Sequence, residues 1–205
     1  MPTGTYVHLD PLTGEPVASE RFSCAPGPAG WRYVGTAIGA DGHETARTDL
    51  AVDARWRPAR LELRSGGWTV RGGAAGPEVL WVRTGLGEQQ EFTARTPGFT
   101  GSSPAFLVAT AGLLALADGE SRSVELTRIG GDALAASTVR QRWTLAERTE
   151  HLTDGDPLIA VRYRVSDLDT GETADVHLAG DVVLAAPGIE LDALESPPNY
   201  RPGAG

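Results

Sequence analysis

The sequence predicts a mainly β protein: an antiparallel curved sheet or open half-barrel of about 11 strands with one central apolar helix. Three observations carry this. Segments that alternate apolar and polar with period two recur along most of the chain. The turns between them are short and glycine-rich, which suits hairpins more than βαβ crossovers. One Ala/Leu-rich stretch, residues 105–117, interrupts the alternation.

Seven strands are expected before that stretch: Val17 to Cys24, Gly30 to Ile38, Glu44 to Val52, Ala59 to Arg64, Trp68 to Gly72, Val79 to Thr84 and Glu88 to Arg95. Pro26-Gly27-Pro28, Asp41-Gly42, Ser65-Gly66-Gly67, Gly72-Gly73 and Gly85-Leu86-Gly87 supply turn residues between them. Ser103 is a favourable N-cap and Pro104 suits the first helical position, so a helix follows over Ala105 to Ala117, stopped by Asp118-Gly119. It is apolar nearly all round and should be buried on several faces, inside the curved sheet or across its mouth.

Four longer strands follow, Ser121 to Ile129, Thr138 to His151, Leu158 to Ser166 and Thr173 to Ala186. Asp154-Gly155 and Asp169-Thr170-Gly171 are their hairpin turns. Residues 1–195 are expected to form a single domain. Residues 196–205, with Pro197, Pro198 and Pro202, read as an extended or disordered tail.

Composition narrows the function. Net charge is −9 and every one of the 18 basic residues is an arginine, spread along the chain without a cluster. An acidic chain lacking a basic stripe is a poor partner for nucleic acid. The start lacks the charged and apolar pattern of a signal peptide, so a cytoplasmic location is expected. The longest apolar run, Pro104 to Ala117, is shorter than the roughly 20 residues of a transmembrane helix. Cys24 is the single cysteine, which excludes an intrachain disulfide and any Cys-x-x-Cys site. No pair among His8, His43, His151 and His177 has metal-ligand spacing, and no nucleophile elbow or phosphate loop is present, so no cofactor or metal is expected.

Strand parity assigns the inner faces. Val139, Gln141, Trp143 and Leu145 fall together, as do Ile159, Val161, Tyr163 and Val165. Ala174, Val176, Leu178, Val182 and Leu184 share a face. Trp31 groups with Tyr33, Leu61 with Leu63, Trp68 with Val70 and Trp81 with Val79, though Leu80 and Val82 imply that this last strand is covered on both sides. Aromatic rings with polar tips are common in ligand pockets. Trp31, Tyr33, Trp68, Trp81, Gln141, Trp143 and Tyr163 are therefore the candidate ligand-binding residues, with Gln141 the one polar group on its face.

Several short motifs appear in a recognisable order. They are Asp53-Ala54-Arg55-Trp56-Arg57 between two early strands, Gly67-Trp68, Thr100-Gly101-Ser102-Ser103-Pro104, Arg162-Tyr163-Arg164, and Asp181 leading through a strand to Pro187-Gly188. Their order resembles the glycolipid-binding family, whose fold is similar to that of the bacterial lipoprotein carriers (LolA-like). The central segment departs from that family's Thr-Asn-Thr-Leu-Pro. The resemblance would span about Val17 to Leu194 and implies an open, helix-plugged half-barrel.

The expected function is binding of an apolar or amphipathic, lipid-like small molecule. One alternative is a cofactor-free cyclase or isomerase acting on a hydrophobic intermediate, with Arg32, Gln141, Tyr163, His177 and Asp181 as candidate residues. His177 and Asp181 share strand parity and could form an acid–base pair. The other alternative is a structural or partner-binding module. No oligomeric state follows from the sequence.

Overall fold

A computed structural model describes residues 1–27, 29–152 and 157–200. The described residues form one sheet of fifteen strands and one helix. The strands are β1 (Thr3–Leu9), β2 (Pro16–Gly27), β3 (Gly30–Gly39), β4 (Glu44–Asp53), β5 (Pro58–Ser65), β6 (Trp68–Ala75), β7 (Glu78–Gly85) and β8 (Glu88–Ala94). After them come β9 (Phe99–Thr100), α1 (Pro104–Leu114), β10 (Ser121–Gly130), β11 (Ala135–His151), β12 (Leu158–Asp167), β13 (Thr173–Ala179), β14 (Val182–Ala186) and β15 (Ile189–Leu194).

The order across the sheet is β8-β7-β6-β5-β4-β3-β2-β1-β15-β14-β13-β12-β11-β10-β9. Two hairpin meanders are thus joined at the middle by the first and last strands, which pair antiparallel with Gly4 opposite Leu194 and His8 opposite Ile189. Fifteen strands replace the eleven expected. β1, β9 and β15 are additional, and the single strand predicted from Thr173 to Ala186 is broken in two by the tight turn at Gly180-Asp181. Gly180 has φ +55°, a left-handed conformation that glycine adopts without steric cost.

The order is linear, so the sheet stays open, yet it curls. Arg83 on β7 donates to the Ala133 carbonyl in the β10–β11 turn at 3.3 Å, although the two strands stand near opposite ends of the order. Helix α1 lies against β4, β9 and β14, and so touches both meanders. Pro104, Ala105, Phe106, Val108, Ala109, Thr110, Ala111 and Leu114 are buried, as its all-round apolar surface requires. The helix ends three residues before Ala117, where Ala115 turns left-handed (φ 44°) and donates its N–H to the Ala111 carbonyl.

The inner faces follow the parity of the sequence, with Val139, Trp143, Leu145, Tyr163, Val176 and Leu178 buried. β7 is covered on one side only: Val79 and Trp81 are buried, whereas Leu80 is 46% exposed. Val182 and Val183 are both buried, because the turn at Gly180-Asp181 resets the parity of the last predicted strand.

The tail from Ser196 to Tyr200 has no strand, yet it is held against the sheet. The Asn199 backbone and side-chain N–H groups donate to Asp181 at 2.8 and 2.9 Å, and the Ile159 N–H donates to the Tyr200 hydroxyl at 3.0 Å. The predicted Asp154-Gly155 turn, Pro28 and residues 201–205 lie outside the described residues. Among the described residues no helix is long and apolar enough to cross a membrane.

Candidate functional site

The core is built on a spine of rings across the concave face. Tyr6 stacks on Phe22 (centroids 4.5 Å), Phe22 on Tyr33 (5.8 Å), Tyr33 lies 5.9 Å from Trp31, and Trp31 stacks on Trp56 at 5.5 Å. Each such pair contributes about 0.5–1.5 kcal/mol beyond the area it buries. Trp56 lies within the Asp53–Arg57 turn with φ 62°, and the turn is held by Arg55 and Arg57 N–H groups that donate to the Asp53 carboxylate at 2.8 and 2.9 Å.

Toward the opposite end of the same strands the side chains shrink. The inner face of β2 reads Cys24, Phe22, Glu20, Ala18; that of β3 reads Trp31, Tyr33, Gly35, Ala37; that of β4 reads Val52, Leu50, Thr48, Ala46. Register sets small residues side by side, Gly35 opposite Thr48 and Ala37 opposite Ala46, with Ala37 also opposite Glu20. Where the rings stop, a cleft of about 300 Å³ opens. Its walls include Leu63 of β5, Phe106 of α1 and Ile129 and Leu134 of the β10–β11 hairpin. That volume is at the lower end of the roughly 300–1,000 Å³ typical of small-molecule sites.

Glu20 lies at the base of this cleft with 3% of its surface exposed. A buried carboxylate must be hydrogen-bonded to be tolerated. The Tyr33 hydroxyl and the Ser103 hydroxyl donate to Oε1 at 2.8 and 3.0 Å, and His8 Nε2 lies 2.8 Å from Oε2. Burial, with the Glu20 charge beside it, holds the Tyr33 hydroxyl well above the usual phenol range, so it is a donor at any working pH. Ser103 is the N-cap residue of α1, as expected, but its hydroxyl makes no capping bond and serves Glu20 instead. The positive end of the helix thereby faces a carboxylate supplied by β2, with no acidic residue in the helix's own first turn.

A second buried carboxylate has a different role. Asp181 accepts from Trp31 Nε1 at 3.1 Å and from Asn199, which fills it with protein donors. Its backbone carbonyl lies 3.5 Å from Cys24 Sγ, and burial followed by the Asp181 charge pushes the thiol up, so Cys24 is a poor nucleophile.

The aromatic residues expected to bind ligand are distributed through the core and along one groove. Tyr33 reaches the cleft through Glu20. Trp31 belongs to the ring spine and its indole is taken by Asp181. Trp143 is 1% exposed, packs edge-on to Tyr163 at 5.6 Å and donates to Gln141 Oε1 at 3.0 Å. That contact is the partner the inward Gln141 required. Trp68 carries the Arg83 guanidinium over its ring at 4.4 Å. Trp81 stacks on Phe92 and lines a groove of about 470 Å³ between β7–β8 and the β10–β11 hairpin.

Nor does the alternative set converge. Arg32 is bidentate on Asp49 at 2.9 and 2.7 Å, Asp181 is engaged as above, and among the described residues no hydrogen bond joins His177 to Asp181. Sequence reasoning missed His8, Glu20 and Ser103 as a group. The signal was there in the parity of β2, which sets Glu20 between Ala18 and Phe22 on an inner face. Among the described residues no group of three or more His, Cys, Asp or Glu side chains could hold a metal ion.

Fold and cleft together define a class: an open sheet, antiparallel except where edge strand β9 pairs parallel with β10, curled about one helix, with a side cleft floored by a hydrogen-bonded carboxylate. A crystal structure of a DUF1089-family protein from Pseudomonas aeruginosa has this fold, with a TM-score of 0.53 at 16% identity, covering 82% of this chain and 89% of that one. No protein-family model matches the chain, and no curated protein matches it significantly.

Proposed function

We propose that this protein is a half-barrel binding protein for a small amphipathic, lipid-like molecule, held in the cleft above Glu20. The carrying observation is the cleft itself, a space of about 300 Å³ where small residues of three neighbouring strands leave the core unfilled. The lining is mixed: Ala18, Ala37, Leu63 and Phe106 are apolar, while His8, Glu20, Arg47, Arg64, Ser102 and Asp132 are polar or charged. Apolar and charged walls together suit a ligand that is itself amphipathic. The resemblance to glycolipid-binding proteins supports the same reading.

The test is direct. Native mass spectrometry and an organic extract of the purified protein should reveal a bound compound, and the neutral fluorescent probe N-phenyl-1-naphthylamine should be taken up. Ala37→Trp fills the cleft and should abolish uptake. Binding that persists in Ala37→Trp, or a wild-type protein that takes up nothing, overturns the proposal.

A further inference from the structure

The geometry points to a proton-transfer activity in this cleft, with His8 as the base and Glu20 as its positioning residue; this rests on the ligand-binding reading above. His8 lines the cleft with 18% of its side chain exposed, while its Nε2 faces Glu20 Oε2 at 2.8 Å. A carboxylate accepts, so Nε2 carries the hydrogen, and the Nδ1 lone pair is left to take a proton. Among the described residues Nδ1 has no hydrogen-bond partner.

The carboxylate behind the imidazole is itself fixed. Tyr33 and Ser103 donate to its other oxygen. Gly35 lies so close that an added Cβ would collide with Oε1. Base, orienting carboxylate and adjoining cavity are the three parts that general-base catalysis requires. The remaining ionisable residues around the cleft are Arg47, Arg64 and Asp132, and Arg64 is engaged by Glu62 at 2.6 Å.

The substrate class is a small, largely apolar β,γ-unsaturated carbonyl compound, whose acidified C–H lies between the carbonyl and the C=C. His8 Nδ1 takes that proton, and the C–H electron pair becomes a new C=C bond of a dienolate whose charge rests on oxygen. The imidazolium, beside the Glu20 carboxylate, returns the proton to the γ carbon, so that the C=O re-forms and the original C=C pair moves into conjugation with it. The outcome is an isomerisation that consumes no other reactant.

A generic probe tests the step without the natural substrate. In 5-nitrobenzisoxazole a base removes the C3 proton, the C–H pair forms a nitrile, and the N–O bond breaks to release a coloured phenolate. Wild-type protein should turn it over with a kcat/KM at least about 100-fold above that of His8→Gln, the lower range for a positioned base. Glu20→Gln keeps the side-chain shape and removes the fixed charge behind the imidazole, so kcat should fall with KM little changed. Naphthylamine uptake, read on all three proteins, separates the two ideas. Uptake with equal turnover in wild type and His8→Gln overturns the proton-transfer step and leaves binding intact; loss of uptake in wild type removes both. An unchanged kcat in Glu20→Gln overturns the dyad. Should His8→Gln fail to fold, ¹⁵N imidazole shifts of the wild type decide: an unprotonated Nδ1 is expected, and an Nδ1–H tautomer overturns the proposal.

Discussion

The Tyr6 hydroxyl accepts a hydrogen bond from the backbone N–H of Val183 at 3.1 Å, linking residues 177 positions apart. Tyr6 stands on the first strand and Val183 on the fourteenth, so the contact fastens the two meanders beside their β1–β15 seam. Burial pushes the phenol far up, and it stays neutral. Tyr6→Phe keeps the ring stacked on Phe22 but strands a buried N–H, a loss of about 1–3 kcal/mol. Urea unfolding should show a lower midpoint with an unchanged slope. A midpoint equal to wild type would mean that the seam does not depend on this bond.

Asp181 plays the matching part at the tail. Asp181→Ala leaves Trp31 Nε1 buried without its acceptor and releases Asn199, again about 1–3 kcal/mol. Asn199→Ala loses only the side-chain bond, and residues 196–200 should become sensitive to protease while the core stays intact. Equal protease sensitivity in wild type and both variants would show that this segment is not held through Asp181.

How much of this was legible in the sequence depends on what each strand carries. The meanders were legible because their apolar residues alternate cleanly and their turns carry Gly and Asp. β1 was not, because its inward positions are Gly4, Tyr6 and His8, which show no apolar alternation. β15 was hidden by the bulge at Thr5/Tyr6, which shifts its partners and breaks the period after Leu191. Both are central in the sheet, so the seam that makes one unit of two halves was the part least visible. The site was missed for a related reason. Large aromatic residues draw attention as ligand contacts, but Trp31 and Trp143 are consumed in packing. A cleft arises where residues are small, and Gly35, Ala37 and Ala46 stand out only once register aligns them.

On the convex face Glu62 anchors a cluster of arginines. Hydrogen bonds from Arg71 and then Arg64 hold its carboxyl down from 4.5 to about 2. A depressed folded value stabilises the protein above the unfolded value, and that contribution is lost as pH falls from about 4.5 through about 2. Arg71→Ala should raise the Glu62 midpoint, followed by NMR titration, and make acid unfolding begin at higher pH. Arg64 and Arg71 are more than half exposed, so salt should weaken the effect. A Glu62 midpoint indifferent to Arg71→Ala would remove the pairing as its cause.

Gly35→Ala sets two effects of opposite sign against each other at the floor of the cleft. Alanine restricts the unfolded chain and by itself would stabilise by about 0.4–1 kcal/mol. The new Cβ, however, collides with Glu20 Oε1 and crowds the Tyr33 ring. Those atoms cannot yield cheaply, because Oε1 is held by both Tyr33 and Ser103 and the ring is stacked against Phe22. Overpacking of this kind costs about 1–3 kcal/mol, so the collision prevails and the variant is less stable. Glu20 must also turn from its donors, so naphthylamine uptake and the His8-dependent rate should fall together. A Gly35→Ala protein as stable as wild type, with both readouts unchanged, would show that Glu20 is not confined there.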